Sequence, residues 1–171
     1  VGYGAAIYGG KKEAKMKMLN LGCGNRIHKS STHEWIHHDI TKHRLEIDIV
    51  WDLNILPWPW ADEEFGFVAA DSVLEHLDHN LLISMNELWR ILKPGGSVHV
   101  KLPHWKHDVS WSDPTHRWPV GLRVFDLLCP DTERGKEYNF YTPYKWRYTK
   151  VPRLNRAKSS VHITMEKLCQ K

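Results

Sequence analysis

The stretch MKMLNLGCGN, residues 16–25, constrains this chain more than any other. A short apolar run from Met16 to Leu21 reads as a buried strand, and it meets Gly22 and Gly24 with Cys23 between them. Glycine permits positive φ and a close approach of backbone to ligand. A dinucleotide site adds a third glycine, so that a full helix packs on the strand and its N-terminus holds pyrophosphate. Here that slot is Ile27, and only the ten residues Asn25 to Glu34 separate Gly24 from the next strand. The usual first helix has little room. The turn suits a ligand with a nucleoside and an amino-acid tail better than one with a pyrophosphate.

The rest of the chain repeats the strand theme. EWIHHDI (34–40), a segment within LEIDIVWDL (45–53), Phe65 to Ala70 and SVHVKL (97–102) read as further strands. LLISMNELWRILKPGG (81–96) is the clearest helix: Leu81, Leu82, Met85, Leu88, Trp89 and Leu92 share one face, and Pro94-Gly95-Gly96 is the stop signal. VGLRVFDLLC (120–129) is expected as a second helix. YKWRYTKV and SVHITMEKL are expected as a closing antiparallel pair around PRLNRAKSS. ILPWPW carries prolines that forbid a central strand, and its tryptophans read as hydrophobic cover. Residues 1–14 are Gly-rich and unpatterned and are expected as a mobile arm, leaving 15–171 as one domain.

Strands joined by crossovers predict an α/β domain with an open, mostly parallel sheet, whose ligands bind beyond the carboxyl ends of the strands. That mouth collects the turn after Leu21, Asp39, Asp52 and the segment after Ala70. Asp39, fifteen residues past Gly24, can accept from both hydroxyls of a ribose. Asp52, beside Leu53, can accept from an adenine amino group. An acid after a strand is more commonly a turn former; the ordered set is what points to a nucleoside site.

LNLGCGN, HHDI, WDLNILPWPWADEEFGFVAADSVLEHL and LWRILKPGGSVHV, in that order over residues 16–102, resemble the successive motifs of class I S-adenosylmethionine-dependent methyltransferases. The likeness is to the small-molecule type with an LPF…FD…LEHL…LKPGG middle. It implies a Rossmann-like sheet of about seven strands with an antiparallel C-terminal hairpin in a three-layer αβα arrangement. It also implies S-adenosylmethionine as cofactor. Carried across, the glycine-rich loop matches Asn20, Gly22 and Gly24, with Cys23 counted among the contacts. The ribose acid matches Asp39, with Ile40 beside the adenine; the adenine-side acid matches Asp52, with Leu53; Asp71 and Ser72 match the segment along the cofactor. Asn25 and Gly66 depart from the pattern, which has Gly or Ala and Asp there.

The substrate side is expected in PHWKHDVSWSDPTHRWP (103–119). His116 or His104 is the candidate general base for an acceptor that carries a proton, and Asp113 the candidate orienting acid. DPTH also reads as an ordinary turn. Trp105, Trp111 and Trp118 are candidates for an aromatic cage on the acceptor. His76 in LEHL either faces the site or packs locally. The His and Asp spacing fits no firm ligand pattern, so no metal is assigned.

Composition bounds the function. The 171 residues suit one core, and 42% hydrophobic with 26% charged is ordinary for a globular chain. No apolar run reaches a membrane span, and three cysteines without CxxC spacing fit a reducing, cytoplasmic setting. The stretch from Arg134 to Lys171 carries ten Lys/Arg against two Glu. It leaves a nucleic-acid methyltransferase in view, although DSVLEH lacks the Asn/Asp-Pro-Pro-aromatic run of base amino-methylases. The favoured expectation is a small-molecule acceptor; a non-catalytic cofactor-binding partner subunit is the third reading. Nothing in the sequence fixes the oligomeric state.

Overall fold

The computed structural model describes residues 15–169. The expected arm at 1–14 lies outside them. Seven strands form one sheet in the order β3-β2-β1-β4-β5-β7-β6. They are β1 (Met16–Leu21), β2 (His33–Asp39), β3 (Ile49–Val50), β4 (Phe65–Asp71), β5 (Leu92–Pro103), β6 (Trp146–Leu154) and β7 (Ser160–Lys167). β1 to β5 pair in parallel, and β7 runs antiparallel to both β5 and β6. This is the expected α/β sheet with its closing hairpin.

The chain steps outward one way through β2 and β3, then returns to the other side of β1 with β4 and β5. The reversal makes the carboxyl ends of β1 and β4 the switch point, where such sheets open a crevice. Register sets Leu21 beside both His38 and Ala70, so the loops after β1, β2 and β4 leave the sheet side by side.

Helix α1 (Leu81–Ile91) forms because Asn80 caps it, its side chain accepting from Ile83 N at 3.1 Å, and because Met85, Leu88 and Ile91 bury one face. It ends sooner than PGG suggests. Leu92 is already extended and pairs with Phe65, and the loop through Gly95 (φ 71°) is a bulge inside β5. Lys167 Nζ, 2% exposed, donates to Leu92 O at 2.7 Å and lies over the Trp89 ring, so its charge is satisfied. Trp58 and Trp60 are buried as expected, held by Arg90, which donates to both of their carbonyls.

The helix expected at 120–129 is a correction. Only a 3₁₀ turn, Asp126–Leu128, forms there. Val120 instead bridges His104, its carbonyl accepting from Trp105 N–H at 3.0 Å, so the carbonyl of the first helical bond is taken and the backbone beyond closes short i→i+3 turns. Two short helices follow the substrate side, α2 (Val109–Ser112) and α3 (Glu133–Glu137). The connections from β1 to β2 and from β2 to β3 are helix-free, so the helices among the described residues all come from the later crossovers. The short first connection was legible in the ten-residue spacing.

Candidate active site

The glycine turn folds as its residues require. Gly22 has φ 62° and Gly24 φ 51°. A Cβ on Gly22 would stand 2.7 Å from Val73 Cβ, in the loop after β4. The turn is tied to the end of β2. Gly24 N–H donates to Asp39 Oδ2 at 2.8 Å, and Ile40 N–H donates to Asp39 Oδ1 at 2.8 Å. Gly22 N–H donates to His38 Nδ1 at 3.2 Å, while His38 Nε2 lies 3.0 Å from Trp51 O. A carbonyl only accepts, so Nε2 carries the ring proton and Nδ1 is the acceptor.

These groups line a cavity of about 360 Å³. Gly22, Gly24, Asp39, Ile40, Asp52 and Leu53 all face it, as does Ser72. Ser72 is held at φ 56°, an uncommon backbone for a residue with a side chain. Asp52 is a turn former as well, its Oδ1 accepting from Asn54 N at 2.9 Å. Three sequence candidates stand elsewhere. Asn20 is buried and donates to Arg26 O at 2.6 Å, which holds the loop rather than the cavity. Cys23 is 3% exposed, and burial beside Asp39 pushes its thiol up to about 11, so it stays protonated. Asp71 pairs with Arg26 at 2.7 Å and faces His99 at 3.6 Å.

A second cavity, about 520 Å³, adjoins the first across Ser72. Its wall includes Glu75, Lys101, Asp113, His116, Asn155 and Ser160. The 3₁₀ turn Leu74–His76 stands between the two, with His76 in the wall of one and Glu75 in the wall of the other. The loop after β5 is stitched to that turn: Arg117 N–H donates to Glu75 O at 2.7 Å, and Trp118 Nε1 to Leu77 O at 2.9 Å. His116 and His76 therefore meet, ring centroids 4.8 Å apart.

Of the catalytic candidates, the fold unites His116 and Asp113, Nε2 to Oδ2 at 4.0 Å. It does not bring in His104, which forms a bridge with Val120 and whose N–H donates to Ser159 O. No tryptophan cage forms on this cavity. Trp105 and Trp111 are 50% and 67% exposed, and Trp118 is spent on Leu77. Sequence reading missed His38, whose signal was its place before Asp39, and Glu75, whose signal was its place before His76. Glu75 is 1% exposed; burial pushes its carboxyl up to about 7.

His38 gives a pH prediction. Burial lowers its pKa below the ordinary value, so the folded state favours the neutral ring. The unfolded chain takes up the proton first as pH falls through about 6.5, and stability drops below that point. His99 and His162 are lowered by burial too and add to the slope. Melting temperature followed from pH 8 to 5 is expected to fall below about 6.5. The fall is expected to be shallower in His38→Asn; equal slopes would remove His38 from the account.

A mostly parallel sheet whose switch point carries a glycine turn faced by two acids is the Rossmann-like methyltransferase fold. Residues 19–100 match the model of a family described as a methyltransferase domain. The whole described fold is similar to a SAM dependent methyltransferase from Archaeoglobus fulgidus, 16% identical over 90% of this chain and 86% of that one, TM-score 0.60. It is also similar to one from Aquifex aeolicus (12% identical, 88% and 81% covered, TM-score 0.55) and one from Methanosarcina mazei (15%, 91% and 94%, TM-score 0.54). At these identities the likeness is one of fold. No curated protein matches the chain. The match over residues 19–100 and the shared fold point to methyl transfer, and the neighbours' chemistry implies S-adenosylmethionine as the cofactor.

The cavity fits that cofactor. A Cβ on Gly24 would meet nothing within 4 Å, so the turn is open there, and Asp39 and Asp52 put two carboxylates in the cavity wall. Among the described residues, no helix is long and apolar enough to cross a membrane.

Proposed function

We propose that the chain methylates a small, polar acceptor carrying an acidic group, seated in the larger cavity beside the cofactor. The observation that supports this is the pair of adjoining cavities that share Ser72. A volume of about 520 Å³ falls in the range of small-molecule sites. Lys101 in the wall offers a cation to an acidic group, and Ser112, Asn155, Ser159 and Ser160 offer hydrogen bonds to hydroxyls.

In this reading the smaller cavity holds S-adenosylmethionine. Asp39 accepts from the ribose hydroxyls, Asp52 from the adenine amino group, and Ile40 and Leu53 flank the base. The bound cofactor supplies a sulfonium methyl already activated for in-line displacement. What the protein contributes is orientation, worth roughly 7–11 kcal/mol of barrier when reacting atoms are well placed. His116 is the group in the acceptor wall that deals with a proton on the acceptor, with Asp113 beside it.

The basic stretch has a structural use that needs no nucleic acid. Arg147, Lys150 and Arg153 are exposed on β6, the edge strand, where charge prevents pairing with another chain. Arg156 and Lys158, also exposed, sit in the β6–β7 turn between Asn155 and Ser159 of the cavity wall. There they would draw an anionic acceptor toward the mouth.

The test is methyl transfer to a panel of small hydroxy acids and sugar phosphates against their neutral counterparts, read as S-adenosylhomocysteine formed. Acidic acceptors are expected to be preferred. Lys101→Ala is expected to raise their KM by about 10-fold while leaving cofactor affinity unchanged, as loss of one charged contact implies. A preference for neutral acceptors, or a KM indifferent to Lys101, would overturn the reading.

A further inference from the structure

The junction between the two cavities holds a cluster that cofactor binding does not use. Glu75, His76 and His116 each place one donor atom so that all three lie within 4.8 Å of one another. The three residues come from the turn after β4 and the loop after β5, brought together by the Arg117–Glu75 backbone bond.

The hydrogen bonds around the cluster leave the donor atoms free. Thr115 Oγ1 donates to Asp113 Oδ1 at 2.7 Å, so at 2.7 Å from His76 Nδ1 it accepts from that ring. His76 is thereby held as the Nδ1–H form, with Nε2 bearing the lone pair. His116 faces Asp113 through Nε2, and its Nδ1 is buried without a partner. The His116 side chain is 9% exposed. Glu75 is 1% exposed, and its Oε2 is also buried without a partner. Buried polar atoms are almost always paired, and two in this cluster are not.

One carboxylate thus orients His76 through Thr115 and stands 4.0 Å from His116 Nε2. A ligating histidine is normally held in this way, with its second nitrogen donating to an outer acceptor. The charged groups acting on Glu75 are Lys101 on one side and Asp113 and Asp71 on the other, so acid outnumbers base around the cluster.

We infer that Glu75, His76 and His116 form a binding site for a divalent transition-metal ion, oriented by Asp113 and Thr115. Two imidazoles and one carboxylate are the donor set of Zn²⁺ and of neighbouring first-row ions, and three protein ligands leave a position open. Bonds of about 2.1 Å would draw the donor atoms to roughly 3.4 Å apart in a tetrahedral site. Glu75 and His116 line the acceptor cavity, so the open position faces the acceptor. This deepens the proposed function, rests on its assignment of that cavity, and changes His116 from proton acceptor to ligand, the cation taking over the acceptor's activation. A cation there holds an acceptor oxygen and lowers its hold on its proton, without any change of redox state.

The test needs no acceptor. The full chain, stripped with a chelator and dialysed, is titrated with Co²⁺ and followed by its visible d–d absorption, with Zn²⁺ competition for affinity. One ion per chain is expected, displaced by Zn²⁺. Affinity is expected to fall at least 100-fold in His116→Ala and Glu75→Gln, and about 10-fold in Asp113→Asn, a range typical of outer-partner loss. Glu75→Gln keeps the shape and replaces a buried acid with a neutral group, and its melting curve and S-adenosylmethionine binding report that the fold is intact. His99→Ala, outside the cluster, is expected to bind as the parent does. No Co²⁺ bound below millimolar, or binding that survives both His116→Ala and Glu75→Gln, overturns the site. Either result leaves cofactor binding and the acidic-acceptor preference to be judged on their own assays.

Discussion

Asp39→Ala is expected to weaken S-adenosylmethionine binding by 100-fold or more. A hydrogen bond to a charged group contributes about 1.5–3 kcal/mol, and the reading gives this carboxylate two ribose hydroxyls. Their joint loss is roughly 3–6 kcal/mol, and each 1.4 kcal/mol is tenfold. The same change strips Gly24 N–H of its partner at 2.8 Å and loosens the turn. Calorimetry with S-adenosylmethionine and S-adenosylhomocysteine would measure it, with NAD as the ligand expected not to bind to either protein. Unaltered affinity would mean that the ribose does not lie against β2.

Gly22→Ala is expected to cost both fold and cofactor. The left-handed backbone at φ 62° penalises any residue with a Cβ by about 1–2 kcal/mol. The added methyl also overlaps Val73. A drop in melting temperature of roughly 5–10 °C is expected, with cofactor binding lost because the loop after β4 must move. The double variant Gly22→Ala/Val73→Gly separates the two causes, since Val73 Cβ itself lies 2.7 Å from the added methyl. It is expected to regain the part due to contact and not the part due to φ. If the single variant binds the cofactor like the parent, the close passage of backbone and ligand at this turn is wrong.

Much of this was legible in the sequence because it depends on order and strand ends. Gly22, Asp39 and Ser72 stand on loops that a parallel sheet must bring to one mouth, whatever the details of packing. The closing hairpin was legible for the same reason, since Val161, Ile163 and Met165 alternate into the core. What was not legible depended on contacts between distant loops. Glu75 reads as one letter of LEHL until the loop carrying Arg117 folds onto it. Asp71 follows its strand as the pattern asks, yet Arg26 claims it. Trp105 and Trp111 look like a cage in the sequence because they are close together, but their rings turn outward. The segment 120–129 has helical spacing, but Trp105 N–H takes the Val120 carbonyl that the first helical bond would need.

The turn Leu74–His76 belongs to both cavities, and the acceptor loop is fastened to it by backbone bonds. In the proposed function, two ligands then share one partition. Whatever firming of that partition the first to arrive brings about, the second need not repeat, so each tightens the other by the same factor, whichever enters first. An acceptor too small to touch Glu75 and His116 would leave the partition slack and forgo that gain. Selectivity is then written partly in how well a molecule helps the enzyme hold its methyl donor.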